Sequence, residues 1–389
     1  MKNKVIIIGI NHFNTLGLIR TFGLNGIKPY VILINSRNSN NYCSKSKFVE
    51  KSYIVKSDDE ALKILLHNFK NEQVKPVLIP SSDGAIYMID THHNLLSEIY
   101  FLPHINHKQG EIAFLMNKAN QAVWAKQLGI PMAETYLIDF NDETWRDIDF
   151  PMPCILKPVL SHEGSKGDIK RCETRDEVNK YIEVLKSKGY FRVLLQKFII
   201  KDYEMELFGT IMEHRKDISY ILTKHLREWP TVGGSVCCHE FILDEDLHKQ
   251  AIIILKKIQE YGLVGNFDIE IMNKDGVIYL NEINFRNSGD IYASFHNKIY
   301  YSYYSYLDMI GEISFPINKK YSNKYYAMCE DRDFNWVRSG LLSFFKWFKF
   351  FYKTKDFAYF SWFDIPSTFA YYKKRSLIRL FKTSLNEKK

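Results

Sequence analysis

Residues 265–289 contain the side chains whose types and spacing are best suited to chemistry. Phe267, Ile269 and Ile271 alternate with polar residues, an Asn-Lys-Asp-Gly turn follows, and an apolar segment resumes at residues 277–280. Alternation on both sides of turn residues predicts a β-hairpin.

The polar positions of this hairpin gather charged and amide groups. Residues two apart in a strand point to the same face, so both strands would place their polar side chains together. Like charges in a cluster repel one another unless a cation lies among them. Carboxylate and amide oxygens beside an arginine are suited to binding Mg²⁺ together with phosphate. The alternative interpretation of this hairpin face is an exposed strand surface with ordinary charges. The residues concerned are Asp268, Glu270, Glu282, Asn284 and Arg286.

Two lysines and a polar loop upstream of the hairpin are suited to binding phosphate. Lys118 begins a predicted helix, and Lys157 ends an apolar strand just before a proline. Each would place a compact positive charge at the site, although Lys157 alone could equally be an exposed residue at a strand end. Glycines free backbone N–H groups to surround an anion. The loop residues with this potential are Ser161, Gly164, Ser165 and Gly167.

The order of these features resembles the ATP-grasp superfamily, where a helix-opening lysine, a Lys-Pro strand end, a glycine loop and an acidic hairpin follow one another. The hairpin contributes the motif Asn-Glu-Ile-Asn-x-Arg, and the resemblance covers roughly residues 1–315. It implies that the chain binds ATP and Mg²⁺ (or Mn²⁺). The metal ligands implied by the resemblance are Glu270, Glu282 and Asn284.

The same resemblance assigns roles around the phosphates. Asp268 rivals Glu270 as the first metal ligand, since families differ in the length of this turn. Lys118, Lys157 and the loop would contact the ATP phosphates. Arg286 would face the transferred phosphate or an acyl phosphate.

Residues 195–206 resemble the hinge where ATP-grasp proteins hold adenine through backbone groups and ribose through a carboxylate. The usual acidic pair is replaced by Gln and Lys, so adenine would be held by backbone groups at Lys197 and Ile199. For the ribose, both Asp202 and Glu204 remain candidates. The nucleotide-binding residues implied here are Gln196, Lys197, Ile199, Asp202 and Glu204.

A cationic segment with a glycine pair precedes the hairpin. In the carboxylate–amine ligases of the superfamily a similar segment faces the second substrate. By this resemblance Arg227 and Lys224 would bind a carboxylate. His225 is either a base or a packing residue, because a lone histidine is more often structural.

The chain is predicted to consist of four parts. Residues 1–105 alternate strands and helices as in a small parallel sheet, and they lack G-x-G-x-x-G after the first strand, which argues against a nicotinamide site. The resemblance implies that this α/β Rossmann-like (pre-ATP-grasp) domain is followed by an α+β ATP-grasp core. The core would have two subdomains, residues 106–190 and 191–318. A C-terminal basic aromatic helical extension would follow at residues 319–389. The predicted helices cover residues 14–23, 58–69, 90–98, 118–128, 175–188 and 247–261.

The charge balance is uneven. The 389 residues carry a net charge of +8, and residues 340–389 alone have eleven Lys/Arg against three Asp/Glu, interleaved with aromatic residues. Such a tail can dock on the body of the protein or lie on a membrane surface, whereas nucleic-acid binding is not expected. The six cysteines are scattered without C-x-x-C spacing, and we identify no signal peptide or membrane-spanning segment. These features predict a cytoplasmic protein, and its tail could contact the inner face of the membrane.

These features together predict an enzyme. The resemblance implies an ATP-grasp ligase that activates a small-molecule carboxylate as an acyl phosphate and joins it to an amine, releasing ADP and phosphate. A homodimer is a further expectation. The alternatives are a bicarbonate-using carboxylase-type enzyme and a non-catalytic or regulatory ATP-binding protein at the membrane surface.

Overall fold

A four-stranded parallel sheet forms the N-terminal region of the computed structural model, which describes residues 3–35, 41–142, 149–159, 166–231, 233–317 and 325–373. The strand order is β3-β2-β1-β4. Short apolar strands form a parallel sheet here because helices bury both faces. The strands are β1 (Val5–Gly9), β2 (Tyr30–Ile34), β3 (Lys51–Val55) and β4 (Val77–Pro80). The helices are α1 (Phe13–Leu24), α2 (Asp58–Asn68), α3 (Asp83–Thr91) and α4 (His93–Ser97).

The parallel sheet predicted for this region is confirmed, with one correction to its helices. Helical structure is present over most of the predicted residues 90–98, but it belongs to two helices, the end of α3 and the whole of α4, and α3 begins earlier than predicted. The Ser82 side chain accepts a hydrogen bond from the Ala85 N–H and so begins α3 directly after β4. This N-cap places Asp83 at the carboxyl end of the sheet.

A second, antiparallel sheet follows, and short elements connect it to the first. The connecting elements are β5 (His104–Ile105), α5 (Glu111–Leu115) and α6 (Lys118–Gln127). The antiparallel sheet has the order β6-β9-β7-β8, with one helix in the chain between β8 and β9. Its elements are β6 (Thr135–Asp139), β7 (Cys154–Pro158), β8 (Lys170–Cys172), α7 (Arg175–Ser187) and β9 (Arg192–Lys197).

The largest sheet contains the predicted hairpin, and its order along the main path is β14-β13-β10-β11-β12-β15-β16. Apolar residues of α8 pack against one of its faces. The hairpin turn has positive φ at Asp275 and Gly276, as a two-residue turn between twisted strands requires. The elements are β10 (Tyr203–Ile211), β11 (Ile218–Trp229), β12 (Ser235–Phe241), α8 (Glu245–Tyr261), β13 (Leu263–Lys274), β14 (Val277–Asn284), β15 (Tyr326–Met328) and β16 (Thr354–Phe357).

The C-terminal part packs onto the rest of the chain as far as residue 373. Strands β15 and β16 extend the edge of the largest sheet. Buried Arg20 of α1 donates to the Tyr359 carbonyl at 2.7 Å, and its Nε lies 3.3 Å from an Asp364 carboxylate oxygen. The helices are α9 (Tyr301–Met309), α10 (Glu330–Asp333), α11 (Asn335–Arg338) and α12 (Phe344–Lys353). Residues 365–373 are also helical.

The aromatic helix α12 has one packed face and one exposed face. The Trp347 side chain is buried and donates from Nε1 to Asp333 at 2.8 Å, whereas Phe345 is 85% exposed and Tyr352 is 79% exposed. Within the described ranges, no helix has the length and apolar character needed to cross a bilayer.

Candidate active site

Three carboxylates form a row across adjacent strands of the largest sheet. Glu270 on β13 lies opposite Glu206 on β10 and opposite Glu282 on β14. We call Glu206, Glu270 and Glu282 the carboxylate row. The Glu270 side chain has access to solvent, but the protein atoms packed around it partly desolvate the carboxylate, and this burial, followed by the charges of Glu282 and Asp268, raises its pKa. Adjacent like charges are unfavourable unless a cation offsets them, so this donor set fits a divalent metal ion.

Helix α6 brings the first predicted lysine to this row. The buried Gln121 side chain donates to the Ile283 carbonyl at 2.8 Å and accepts from the Ile283 N–H at 3.1 Å, so α6 is held against the edge strand β14. In consequence the Lys118 Nζ lies 2.8 Å from a Glu282 carboxylate oxygen.

The second predicted lysine is buried near the same acids. The Lys157 Nζ donates to the Gln196 Oε1 at 2.8 Å, and the Gln196 amide in turn donates to Thr135 at 2.9 Å. Burial, and then the neighbouring charge of Lys118, lower the pKa of Lys157 to about 8. Gln196, predicted as a nucleotide contact, therefore holds Lys157 in place in this structure.

The predicted phosphate loop is only partly covered by the described residues. Gly167 lies in a short 3₁₀ turn, Lys166–Asp168, and its carbonyl accepts a hydrogen bond from the Tyr181 hydroxyl at 3.5 Å. Ser161, Gly164 and Ser165 lie outside the described residues.

Arg286 connects the hairpin to the N-terminal sheet. Its Nε donates to Asp83 at 2.9 Å, and its Nη1 forms an ion pair with buried Asp268. The Asn284 position on β14 lies opposite Asp268 on β13. Because Asp268 is paired with Arg286 whereas Glu270 lies beside Glu282, the geometry favours Glu270 over Asp268 as a metal ligand.

The residues predicted to hold adenine and ribose lie after β9. The Lys197 N–H already donates to the Glu134 carbonyl at 2.8 Å, so an adenine contact from this residue would have to use its carbonyl oxygen. The Ile199 carbonyl accepts from the Lys201 N–H at 2.9 Å.

The two ribose candidates have different surroundings. Asp202 accepts from the Asp275 N–H at 2.8 Å and so caps the hairpin turn. Glu204 forms an ion pair with Lys201, and one of its oxygens lies 3.5 Å from the His225 Nδ1. This arrangement favours Glu204 for the ribose.

His225 lies beside the carboxylate row and is surrounded by acids. Its Nε2 is 3.1 Å from a Glu206 oxygen, and its Nδ1 is 3.2 Å from a Glu228 oxygen. Burial alone would lower the pKa of His225, but the hydrogen bonds with Glu206 and Glu228 outweigh it and raise the pKa to about 10. A histidine that is already protonated at neutral pH cannot accept a proton, so the geometry does not favour His225 as a base.

Arg227 is not brought into the carboxylate row. Its Nε and Nη2 donate to the two oxygens of fully buried Asp333 at 2.7 and 2.9 Å, and its guanidinium lies 4.5 Å from the centroid of the Phe350 ring. This bidentate pair connects β11 to the C-terminal segment. Carboxylate binding by Arg227 stays a prediction, and it would require this buried pair to open.

A second group of charges lies where the N-terminal sheet meets the C-terminal segment. Buried His239 lies 3.1 Å from Asp290; burial alone would raise the pKa of Asp290, but the His239 charge lowers it to about 2. Burial, and then the charges of Arg332 and Arg286, lower the pKa of His12 to about 4. We call His12, His239, Arg286, Asp290 and Arg332 the arginine cluster.

Arg332 is a member of this cluster that the sequence does not indicate. Its Nη1 donates to the Val236 carbonyl at 3.2 Å, and its guanidinium lies 5.3 Å from the centroid of the Phe13 ring. Among the described residues it forms no ion pair, although it is partly buried. The Asp290 carboxylate acts on Arg332 only through its charge and not through a direct ion pair, so the guanidinium of this partly buried arginine is suited to an anionic ligand. In the sequence, Arg332 lies in an ordinary charged run, Glu-Asp-Arg-Asp, so no spacing indicates its role.

Comparisons with known proteins agree on one fold. A family model for the ATP-grasp domain matches residues 123–293. A D-aspartate ligase of Enterococcus faecium is 26% identical over 242 residues, which are 58% of this chain and 56% of that protein. A formate-dependent phosphoribosylglycinamide formyltransferase of Aliivibrio fischeri is 24% identical over 172 residues, which are 41% of each chain. The chain therefore spans about half the length of the curated relatives it matches.

A solved structure extends the likeness over most of the chain. The N5-carboxyaminoimidazole synthetase of Staphylococcus aureus in complex with ADP superposes with a TM-score of 0.66 at 14% identity, covering 88% of this chain and 86% of that chain. At this level of identity the likeness concerns the fold alone.

Proposed function

We propose, from the premise that residues 123–293 form an ATP-grasp domain, that the protein is an ATP-dependent ligase that activates a carboxylate and joins it to an amine. The match supports, over residues 123–293, the ATP-grasp domain predicted from the order of the motifs. The observation that carries the functional proposal is the contact between Lys118 and Glu282, because it joins a phosphate-binding cation to a row of metal-binding acids.

The metal and nucleotide sites follow from the same geometry. Glu270, Glu282 and Asn284 would hold Mg²⁺ or Mn²⁺, and the raised pKa of Glu270 supports a cation beside it. When bound, the ion would neutralise phosphate oxygens and draw charge from the transferred phosphoryl group. Lys118 and Lys157 would contact the phosphates of ATP.

Other nucleotide contacts rest on the predicted roles. Glu204 is the preferred ribose ligand because Asp202 caps the hairpin turn. The backbone of Lys197 and Ile199 would face adenine, and the loop residues Ser161, Gly164, Ser165 and Gly167 would cover the phosphates.

The reaction would take place between the carboxylate row and the arginine cluster. As the γ-phosphoryl group moves to a substrate carboxylate oxygen, Lys118 and Lys157 would offset the negative charge on the phosphates. Arg286, held by Asp83 and Asp268, would orient the acyl phosphate. An amine would then attack the acyl carbon and release phosphate.

The arginine cluster supports an amino acid with two carboxylates as the activated substrate. One carboxylate would receive phosphate near Arg286, and the second would need a cation of its own. Arg332 forms no ion pair among the described residues and is partly buried, which fits that need. The similarity to an enzyme named for D-aspartate supports the same substrate class.

The division of the chain is also part of the proposal. We assign residues 1–105 to the pre-ATP-grasp domain, 106–190 and 191–318 to the two ATP-grasp subdomains, and 319–389 to the extension. The extension would stabilise the arginine cluster through the Arg227–Asp333 pair. Cytoplasmic location and homodimer formation stay predictions.

A substrate panel tests the activity directly. ADP release should be measured with D- and L-amino acids, in the presence and absence of amines, and Glu282→Gln should be the inactive control. We expect ADP release that requires both a carboxylate and an amine. Tight ATP binding without turnover would favour the non-catalytic alternative. ADP release that requires only bicarbonate would favour the carboxylase alternative.

Peripheral membrane contact through residues 340–389 is a separate proposal, supported by the exposed aromatic face of α12, including Phe345 and Tyr352. Sedimentation with anionic vesicles should be compared for the full chain and for Phe345→Ser/Tyr352→Ser. We expect the full chain to sediment more. Equal sedimentation of the two proteins would contradict membrane contact through this face.

A further inference from the structure

A cluster of histidines with one glutamate lies away from the carboxylate row. The His107 Nε2 lies 3.1 Å from one Glu213 oxygen, and the His104 Nε2 lies 3.5 Å from the other. The centroids of the two imidazole rings are 3.6 Å apart, and the ring planes are tilted by 32°. His104 begins β5, and Glu213 lies in the connection between β10 and β11.

A third histidine, His93, lies beside this group. His93 in α4 is buried, and within the described part of the chain neither of its ring nitrogens has a hydrogen-bond partner. Its ring centroid lies 6.2 Å from that of His104 and 6.4 Å from that of His107. A buried imidazole with two unsatisfied nitrogens is costly, so His93 makes this cluster more favourable for a bound cation that polarises its surroundings than for a metal-free packing of three histidines.

The donor spacing fits a transition-metal ion. The ligand atoms of His104, His107 and Glu213 all lie within 4.8 Å of one another. Ligands about 2.0–2.1 Å from a tetrahedral Zn²⁺ would be roughly 3.3–3.5 Å apart, close to the two nitrogen–oxygen separations in this cluster. Imidazole nitrogens favour Zn²⁺, Co²⁺ or Ni²⁺ over Mg²⁺, which prefers oxygen ligands.

We propose that His104, His107 and Glu213 bind a divalent transition-metal ion of the Zn²⁺ class, with His93 packed beside the three ligands. The site is distinct from the carboxylate row: His104 pairs with Val264, six residues before Glu270 on β13, a separation of about 20 Å along an extended strand. The ion would connect β5, which pairs with β13, to the β10–β11 connection that contains Glu213.

Metal binding would change one hydrogen bond. The His104 Nδ1 now lies 3.3 Å from the His107 N–H, which donates to it. A metal on the Nε2 of His104 moves the ring proton to Nδ1, so this contact opens when the ion binds. The alternative is a metal-free cluster in which the histidines simply hydrogen-bond to Glu213.

Cobalt absorption distinguishes the two accounts. The full chain, stripped of metal, should be titrated with Co²⁺ in excess Mg²⁺, which occupies oxygen-ligand sites. We expect visible d–d absorption that saturates at one Co²⁺ per chain and is abolished by Zn²⁺. The result does not depend on ligase activity, so it can fail while the proposed function stands.

Matched variants locate the ion. His107→Ala removes a side chain that is 62% exposed, so folding should be preserved, and Glu213→Gln keeps the shape of its side chain. Both should weaken Co²⁺ binding by at least about 10-fold. His214→Ala, an exposed neighbour of Glu213, should bind as the wild type does. No d–d absorption in the wild type, or an equal loss in His214→Ala, would overturn the proposal.

Discussion

The carboxylate row and the arginine cluster face the same proposed reaction but differ in how the chain builds them. The carboxylate row lies on three neighbouring strands and is open at Glu270. The arginine cluster joins residues from both ends of the chain, and most of its charges are already paired within the protein. The first region is therefore suited to binding exchangeable ligands, and the second to positioning one substrate group beside fixed charges.

This difference separates a local site from a site that depends on long-range packing. Glu270 and Glu282 keep their relation through the hairpin register. Arg332 reaches its place only because α10 packs on the largest sheet, where Asp333 is held by Arg227. Substitutions in the two regions should therefore impair the protein in different ways.

The largest effect is expected on stability, when the buried Arg227–Asp333 pair that holds α10 in place is broken. Asp333→Ala leaves the buried Arg227 guanidinium unpaired and removes the acceptor of the Trp347 Nε1–H. We expect a loss of about 3–5 kcal/mol in the free energy of unfolding, measured by urea denaturation.

Two controls sharpen this prediction. Asp246→Ala removes an exposed pair with Lys249 and should change the stability little. The double variant Arg227→Met/Asp333→Leu should recover much of the loss, because no buried charge remains unpaired. If Arg227→Met raised the KM for the carboxylate substrate without lowering stability, a substrate role for Arg227 would be preferred.

The next largest effect is expected in the carboxylate row. Glu282→Gln keeps the size of the side chain but removes a metal ligand and the partner of Lys118. The kcat for ADP release should fall about 100- to 1000-fold, with little change in stability. Glu260→Gln, on the exposed face of α8, is the matched control. Normal kcat in Glu282→Gln would exclude Glu282 from the metal site.

A smaller effect is expected at Arg332. Arg332→Gln should raise the KM for a dicarboxylate amino acid about 10- to 100-fold, because a charge-assisted hydrogen bond is lost, while the Kd for ATP is unchanged. Arg338→Gln, an exposed arginine of the same C-terminal segment, should leave both constants unchanged. Equal effects on substrates with one and with two carboxylates would argue against the role given to Arg332.

The smallest effect concerns pH. Burial and the charge of Lys118 lower the pKa of Lys157 to about 8, so its positive charge is present at pH 7 and is lost as the pH rises through 8. The Kd for ATP should therefore be constant below pH 7 and rise by up to about tenfold per pH unit above 8. Calorimetry with Lys157→Arg, which stays charged, should show a flatter profile. An unchanged profile in that variant would remove Lys157 from the phosphate site.

The sequence predicted the local parts of this molecule better than the distant ones. The hairpin and the parallel N-terminal sheet follow from alternation and turn residues over short stretches, and both are present. The helix predicted at residues 90–98 is present in part, but its start was predicted incorrectly, because the Ser82 N-cap begins α3 earlier.

The arginine cluster could not be predicted in the same way. The pairing of Arg227 with Asp333 joins residues 106 positions apart, and no local pattern encodes it. The use of Gln196 to hold Lys157 likewise depends on β7 lying beside β9. Such contacts arise from tertiary packing, which periodicity and spacing do not describe.

The most direct test of the proposed chemistry is the fate of the substrate oxygen. An amino acid substrate with ¹⁸O in its carboxylates should be turned over with ATP and an amine, and the released phosphate should be analysed by mass spectrometry. Activation as an acyl phosphate predicts one ¹⁸O atom in phosphate for each ADP formed. Turnover that releases unlabelled phosphate would show that the carboxylate is not phosphorylated and would contradict the account.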